Sequence, residues 1–141
     1  MSTRTDTRVA EVMISLSETP RITPETLLKE ALEVMDKHRL GIVCITGKDV
    51  KLEGIITDGD IRRMLTRIQK PIAALMSDDA INHAIRKPAT VTDETSLTEA
   101  IILMGQKQIW DLPVVETDGK LAGLLHLHPA IKTMIGMKEN D

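Results

Sequence analysis

Residues 54–65 read GIITDGDIRRML, and this stretch joins the end of a strand to the start of a helix. Its beginning, Gly54–Ile56, is apolar and typical of a buried strand, whereas apolar residues from Ile61 to Ile68 recur at helical spacing. Thr57 and Asp60 therefore fall on a strand-to-helix turn. A hydroxyl and a carboxylate at such a turn either cap the helix or bind the hydroxyl groups of a ligand.

The stretch belongs to a pattern that occurs twice in the chain. Thr23–Ala31, TPETLLKEA, aligns with Thr92–Ala100, TDETSLTEA, at an offset of 69 residues. The same offset continues without a gap to Gly54 and Gly123. An internal repeat of this kind decides the fold, because each copy is one structural unit.

Each copy is predicted to read strand, helix, strand, strand, helix. A helical stripe starts at Leu28 and again at Leu97, where Ser96 and Glu99 fit a capping box. The dipeptide Asp118-Gly119 is a hairpin signal. Strands are expected at 41–45, 52–56, 112–115 and 121–125, and closing helices at 60–68 and 129–135.

The duplication also sets the expected domain boundaries. A tag precedes each copy, VAEVM at 9–13 and IAALM at 72–76, and SDDAINHAIRKP after the second tag is expected to form a loop. We expect flexible tails at 1–8 and 137–141, repeat 1 at 9–71 and repeat 2 at 72–136. One copy of about 60 residues buries too little apolar surface to be comfortably stable alone. The predicted fold is therefore α+β, with two βαββα repeats packed sheet to sheet about a pseudo-twofold axis.

Composition narrows the function classes. The chain has 141 residues, 42% hydrophobic and 28% charged, with a formal net charge of −3, which argues against broad nucleic-acid binding. The start is polar and no apolar run approaches the length of about 18 residues that a membrane span needs, so we expect a cytoplasmic protein. Cys44, the only cysteine, lies in an apolar run and is expected to be a buried small hydrophobic residue.

At this level of detail the chain resembles the paired cystathionine-β-synthase (CBS) domains, or Bateman module, from about Val9 to Ile135. The resemblance rests on the two tags ending in Met, on TPETLLKEALEVM, TDETSLTEAIILM and LPVVETDGKLAGLL, and above all on GIITDGD. GIITDGDIRRML with GLLHLH is most similar to the CBS pair at the C-terminus of arabinose-5-phosphate isomerases. In that family a separate catalytic domain precedes the pair, so the chain is expected to be either a regulatory part or a free-standing relative.

The resemblance implies that Asp60 binds the ribose hydroxyls of an adenine nucleotide and that Thr57 lies beside it. The chemistry is reasonable, because an ionised carboxylate only accepts hydrogen bonds and has room for both ribose hydroxyls. A helix N-terminus also suits a phosphate. The alternative is that Asp60 is a helix-capping carboxylate. Arg62 and Arg63 either add a cation or line a solvated helix face.

The resemblance pairs this turn with a strand and loop of the other repeat across a cleft. The implied ligand-binding residues are Thr57, Asp58, Asp60, Lys87, Ala89, Thr90, Ile109, Trp110, Asp111 and Leu112. Trp110 either packs on a base or plugs the core between the repeats. Asp111 either accepts a hydrogen bond from a base amino group or is solvated.

The second copy departs from the pattern, since His126 and Pro129 stand where the first copy has Thr57 and Asp60. The second cleft is therefore expected to be weaker; its residues are Ile22, Thr23, Gly41, Ile42 and His126. On a strand, His126 and His128 would point to the same face, but zinc needs three or four ligands. We expect no metal site.

The sequence thus favours a non-catalytic regulatory module that binds an adenine nucleotide or a related metabolite such as AMP, ADP or ATP. It would form a homodimer and signal to a partner or catalytic domain, with no required cofactor, nucleic acid or membrane. One alternative is a structural dimerisation module without ligand, and another is the regulatory fragment of an isomerase that senses a nucleotide sugar. An enzyme is disfavoured, because no histidine has the spacing to a nucleophile or carboxylate that marks a catalytic site.

Overall fold

The computed structural model describes residues 7–136 and has a mixed α/β fold with two three-stranded sheets, which confirms the predicted class. The strands are β1 (Ile14–Ser15), β2 (Arg21–Ile22), β3 (Ile42–Thr46), β4 (Leu52–Thr57), β5 (Asp111–Val115) and β6 (Leu121–His126). The helices are α1 (Leu28–His38), α2 (Asp58–Arg67), α3 (Ile72–Met76), α4 (Leu97–Lys107) and α5 (Leu127–Met134). The predicted tails lie outside the described residues, except for positions 7 and 8.

The chain divides into two compact units that do not follow the order of the repeats. Within the described residues, one unit contains 7–18 together with 89–136, and the other is Thr19–Pro88. The segment before the first repeat thus belongs to the unit built from the second, where Ile14 pairs with Leu124 of β6. The expected boundaries at 9–71 and 72–136 and the sheet-to-sheet packing remain predictions.

The two sheets reproduce the offset of the sequence repeat at the level of register. In one sheet, β3 and β4 are antiparallel, with Ile42 opposite Thr57. In the other, β5 and β6 are antiparallel, with Asp111 opposite His126, and each of these two residues lies 69 positions after its equivalent in the first sheet. Each ladder has a register shift at its far end, between Ile45 and Thr46 and, 69 residues later, between 114 and 115. The hairpin predicted at Asp118-Gly119 forms there, with Gly119 at a φ of 90°.

The long helices begin and end at equivalent residues. Ser96 Oγ accepts the Glu99 N–H at 3.1 Å, which confirms the predicted start of α4. Arg39 after α1 and Gln108 after α4 both adopt the left-handed conformation, with φ of 55°. A left-handed residue at this place closes the last helical turn. Arg39 N–H accordingly donates to carbonyls of the last turn of α1.

The closing helices α2 and α5 begin two residues before the predicted starts at 60 and 129. Pro129 therefore lies at the third helical position rather than the first. Proline is tolerated there because the first four N–H groups of a helix have no intrahelical partner. By the same shift, Asp60 is the third residue of α2, and Thr57 is its N-cap.

An incoming segment extends each sheet. Ile14 in β1 pairs antiparallel with Leu124, and Ile85 forms an antiparallel bridge to Ile55 in β4. The pairs are equivalent, because Ile55 and Leu124 differ by the repeat offset of 69. Each sheet therefore has an edge formed by a segment that lies outside its central hairpin.

Backbone hydrogen bonds define which incoming residues correspond. The Val9 N–H donates to the Thr95 carbonyl at 2.9 Å. The Ala80 N–H donates to the Thr26 carbonyl at 2.8 Å, and both donors start 3-10 helices, Val9–Glu11 and Ala80–His83. The contacts thus match Val9 with Ala80, not with the tag at 72–76 that the sequence alignment matched. The tag at 72–76 instead forms α3, and the additional residues that follow it supply the segment that corresponds to Val9.

Each unit has its own core of aliphatic side chains and methionine. In the unit Thr19–Pro88 the core includes Leu28, Val43 and Ile56, and in the other it includes Leu97 and Leu125. Cys44 is a free, buried thiol, as expected. None of the helices described between residues 7 and 136 is long and apolar enough to cross a membrane.

Candidate functional site

The turn between β4 and α2 is held by reciprocal hydrogen bonds between Thr57 and Asp60. The Thr57 N–H donates to Asp60 Oδ2 at 2.9 Å, and the Thr57 hydroxyl donates to the same oxygen at 3.0 Å. The Asp60 N–H in turn donates to Thr57 Oγ1 at 3.3 Å. This is a capping box, in which an N-cap side chain and the third helical residue satisfy each other's N–H groups. The carboxylate is therefore fixed in position by the local sequence.

The second oxygen of the Asp60 carboxylate is bound by an arginine. Arg63 Nη2 donates to Asp60 Oδ1 at 2.8 Å. The Asp60 side chain is 11% exposed and that of Arg63 is 44% exposed. Because Arg63 is one turn further along α2, its guanidinium reaches back over the start of the helix. The helix N-terminus thus carries a largely buried carboxylate and a solvent-exposed cation.

These contacts decide part of the sequence interpretation. Asp60 does cap the helix, as the alternative interpretation held, and its binding of a ligand remains a prediction. Arg63 does not simply line a solvated face, because it is paired with Asp60. Arg62, its neighbour, is exposed.

The strand end beside the turn brings residues of both predicted clefts together. Ile42 is the cross-strand partner of Thr57, and the Asp58 N–H donates to the Gly41 carbonyl at 3.0 Å. A β-carbon at Gly41 would meet the Asp58 carboxylate, so only glycine leaves that side chain where it is. The residues predicted for the second cleft, Gly41 and Ile42, thus adjoin those predicted for the first.

The equivalent place in the other unit holds a different polar pair. His126 Nδ1 lies 2.8 Å from Asp111 Oδ1, where the first copy has Thr57 opposite Ile42. The Asp111 side chain is 9% exposed and that of His126 is 27% exposed. The alternative in which Asp111 is merely solvated is therefore wrong. His126, expected in the second cleft, is bound to a residue expected in the first.

The apolar residues next to this pair differ in accessibility. Trp110 is 69% exposed and belongs to neither of the two hydrophobic cores, and its packing on a base and its place in a core between the repeats both remain predictions. Its carbonyl accepts the Leu127 N–H at 2.8 Å and so fixes the start of α5. Ile109 packs against the core, and Leu112 is fully buried in it.

The remaining predicted residues are distributed over the two units. Lys87 is exposed, Ile22 is buried and pairs with Ile45, and the Thr23 hydroxyl lies 2.9 Å from that of Thr26. The unit Thr19–Pro88 contains Ile22, Thr23, Gly41, Ile42, Thr57, Asp58, Asp60 and Lys87. The other unit contains Ala89, Thr90, Ile109, Trp110, Asp111, Leu112 and His126. Their grouping into two clefts remains a prediction.

The two histidines of the H-x-H motif do not share a strand. His126 ends β6, whereas His128 lies in α5, so the same-face placement considered for metal binding is wrong. Across residues 7–136 there is no group of three or more His, Cys, Asp or Glu side chains placed to hold a metal ion.

A family model described as "CBS domain" matches the chain twice, at residues 9–67 and 72–128. The chain is a tandem pair of CBS domains. The two matches follow the repeat that the sequence shows, with the motif GIITDGD near the end of the first. The predicted family is therefore confirmed.

Relatives of this CBS pair include larger proteins. Arabinose 5-phosphate isomerase KdsD of Yersinia pestis is 28% identical over 125 residues, which is 89% of this chain and 37% of the relative. The chain spans little more than a third of the length of the curated relatives it matches, 36% and 37% for the first two.

Solved structures with the same fold include CBS pairs with bound nucleotides. CBSX2 in complex with AMP has a TM-score of 0.80 and 24% identity, covering 92% of this chain and 96% of CBSX2. The CBS domain of a bacterial CNNM/CorC family Mg²⁺ transporter in complex with ATP has a TM-score of 0.75 and 20% identity, covering 96% and 92%. At these identities the likeness concerns the fold.

A charged cluster in the unit Thr19–Pro88 of this CBS pair was not foreseen from the sequence. Lys70 Nζ lies 2.8 and 2.9 Å from the two Asp78 carboxylate oxygens, and His83 Nε2 lies 2.8 Å from Oδ2. The hydrogen bond from Lys70, followed by that from His83, holds the pKa of Asp78 below its usual 3.8. The Asp78 carbonyl also accepts the Leu28 N–H at 2.9 Å. This backbone hydrogen bond holds the segment after α3 beside the start of α1.

Replacing Asp78 with asparagine is expected to lower stability at neutral pH, because the amide keeps the shape but loses the charge that Lys70 binds. A carboxyl with a lowered folded-state pKa stabilises the fold above its usual value, and the contribution disappears as pH falls through the lowered pKa. The stability gap between wild type and Asp78→Asn should thus narrow below pH 4. Urea unfolding across this range measures it, with exposed Asp79→Asn as control. A gap independent of pH would contradict the assignment.

Proposed function

We propose that this CBS pair is a non-catalytic regulatory module that binds an adenine nucleotide through the Thr57–Asp60 turn. The observation that carries the proposal is the Asp60 carboxylate, fixed by its capping box at a helix start and 11% exposed. A fixed anion of this kind binds a ribose without losing side-chain entropy on binding. The AMP and ATP complexes of two proteins with the same fold support the ligand class.

The chemistry of the turn fits both ends of a nucleotide. The carboxylate accepts hydrogen bonds from ribose hydroxyls, and hydrogen bonds to a charged group contribute about 1.5–3 kcal/mol each. The start of α2 carries a positive partial charge, and Arg63 adds a full one, which favours phosphate. In the second copy, Pro129 replaces Asp60 and His126 is engaged by Asp111. One ribose-binding turn for each chain follows from this difference.

The regulatory part of the proposal concerns which domain or protein responds to the bound nucleotide. The chain covers about a third of the length of its isomerase relative. We propose that a catalytic domain of the same protein, or a separate partner protein, responds to the bound nucleotide. A homodimer of CBS pairs is the proposed assembly. Coupling requires that the nucleotide bind one arrangement of the module more tightly than another.

A nucleotide sugar is the second candidate ligand, favoured by the 28% identity to an arabinose 5-phosphate isomerase over 89% of this chain. It carries the same ribose diol and phosphates as an adenine nucleotide, so Asp60 would bind it in the same way. The two classes differ in the base and the sugar, which a panel of ligands separates.

Asp60→Ala is expected to weaken nucleotide binding by at least about tenfold, since it removes the charged acceptor of the ribose. Calorimetric titration and thermal shift with AMP, ADP, ATP, S-adenosylmethionine and a CMP-sugar test this. The variant also loses a helix cap worth about 1 kcal/mol, so the ligand-induced shift, not the absolute Tm, is compared. Emission of Trp110, the only tryptophan, gives an independent signal.

Asp79→Ala is the matched control, because it removes an exposed carboxylate from the same unit and should bind as wild type does. Equal binding by Asp60→Ala and wild type would place the ligand elsewhere. No binding of any tested compound to wild type would contradict the proposal and favour a structural dimerisation module.

A further inference from the structure

The pairing of Arg63 with Asp60 occupies part of the surface that the proposed ligand needs. A carboxylate offers about four acceptor positions on its two oxygens. Asp60 Oδ2 already accepts from the Thr57 N–H and the Thr57 hydroxyl, and Oδ1 accepts from Arg63. One position remains by this count. A ribose diol that donates two hydrogen bonds to Asp60 must therefore displace one of the three donors.

Arg63 is the donor that leaves most easily. The Thr57 N–H is part of the backbone at the helix start, and the Thr57 hydroxyl oxygen also accepts the Asp60 N–H at 3.3 Å, so losing either donor would loosen the cap. Arg63 is instead a long side chain with 44% exposure, and its departure leaves the Thr57–Asp60 hydrogen bonds in place. Its guanidinium lies over Gly59, where a β-carbon would be 3.1 and 3.2 Å from its two terminal nitrogens. The guanidinium thus lies over the backbone of Gly59, which has no side chain.

The released guanidinium needs a new anionic partner close to Asp60. A phosphate bound at the start of α2 provides one, because guanidinium and phosphate form short, charge-assisted and often paired hydrogen bonds. A nucleoside without phosphate has to break the Arg63–Asp60 pair and gives the guanidinium no new anionic partner. The cost of opening the turn is therefore offset only by a phosphorylated ligand.

We infer that Arg63 is a specificity-determining residue that closes the Asp60 turn in the free protein and moves to the phosphate when a nucleotide binds. The inference rests on the proposed function of the turn. It makes the turn select phosphorylated nucleosides over unphosphorylated ones through one side chain with two alternative partners.

The test compares AMP with adenosine on wild type, Arg63→Gln and Arg62→Gln by calorimetric titration. Arg62 is the matched control, because it is the adjacent exposed arginine of the same helix and its replacement changes the net charge equally. For Arg63→Gln we expect AMP to bind about tenfold more weakly, as one charge-assisted contact is lost. Adenosine should bind as well as or a few-fold better than to wild type, because Asp60 is already released.

The ratio of the dissociation constant for adenosine to that for AMP is therefore the decisive quantity. A ratio reduced about tenfold in Arg63→Gln and unchanged in Arg62→Gln supports the inference. If wild type binds AMP in a manner that Asp60→Ala abolishes, but both arginine variants keep the wild-type ratio, the role of Arg63 is overturned and the proposed function stands. If wild type binds neither compound, the function of the turn itself is overturned, and the inference with it.

Discussion

Replacing Gly123 with alanine is expected to destabilise the protein by about 3 kcal/mol, because the added methyl group has no room. Gly123 lies in β6 opposite Ser15 of β1, and a β-carbon there would meet the Ile14 carbonyl oxygen and Met13 Sδ at 3.2 Å. The obstacle is backbone, which cannot rotate out of the way as a side chain does. The substitution should therefore break the pairing of β1 with the sheet. Urea denaturation of both proteins measures the difference.

Gly105→Ala provides the matched control. Gly105 is in the interior of α4, and a β-carbon there would have no neighbour within 4 Å. Alanine is a better helix former than glycine, so this substitution should stabilise the protein by about 1 kcal/mol. A loss of stability for Gly105→Ala similar to that for Gly123→Ala would show that the close contact in β6 is not the cause.

The same contact explains why glycine recurs at the repeat offset. Gly54 of β4 is equivalent to Gly123, and a β-carbon at Gly54 would lie 2.9 Å from the Ile85 carbonyl oxygen. Both glycines thus allow an incoming segment to run close beside the sheet. The sequence showed the recurrence, but the incoming segment that requires it lies far away along the chain, so its identity could not be predicted from local pattern.

The fold was predictable where the signal was local and duplicated. The four strands with predicted bounds, observed as β3 to β6, agree to within one residue at each end, because each apolar run is short and bounded by turn residues. The start of α2 was misplaced by two residues, although Thr57-Asp-Gly-Asp60 has the spacing of a capping box. Reading that spacing as a cap gives Thr57 as the residue before the helix.

The polar pairs of the candidate site were less accessible to sequence reasoning. Asp111 and His126 are 15 residues apart and meet only because of the β5–β6 register, which includes an irregularity that no local pattern reveals. The pairing of Arg63 with Asp60 depends on the choice of one rotamer among many for a long side chain. The residue types at the turn were thus predictable, whereas the partners of their side chains required coordinates.

Ile56→Ala is expected to cost about 3–4 kcal/mol, the range for removing a large aliphatic side chain from a packed core. Ile56 is fully buried in the core of its unit, directly before Thr57. Ile56→Val removes a single methylene and should cost about 1 kcal/mol, whereas Leu65→Ala, at a 53% exposed position of α2, should change stability by less than about 0.5 kcal/mol. Urea unfolding of the series measures this order. Because the Thr57–Asp60 bonds are local to the turn, Ile56→Ala should still bind nucleotide at a temperature where it remains folded. A loss of binding in folded Ile56→Ala would instead mean that the core beneath the turn, and not its own hydrogen bonds, holds the carboxylate in place.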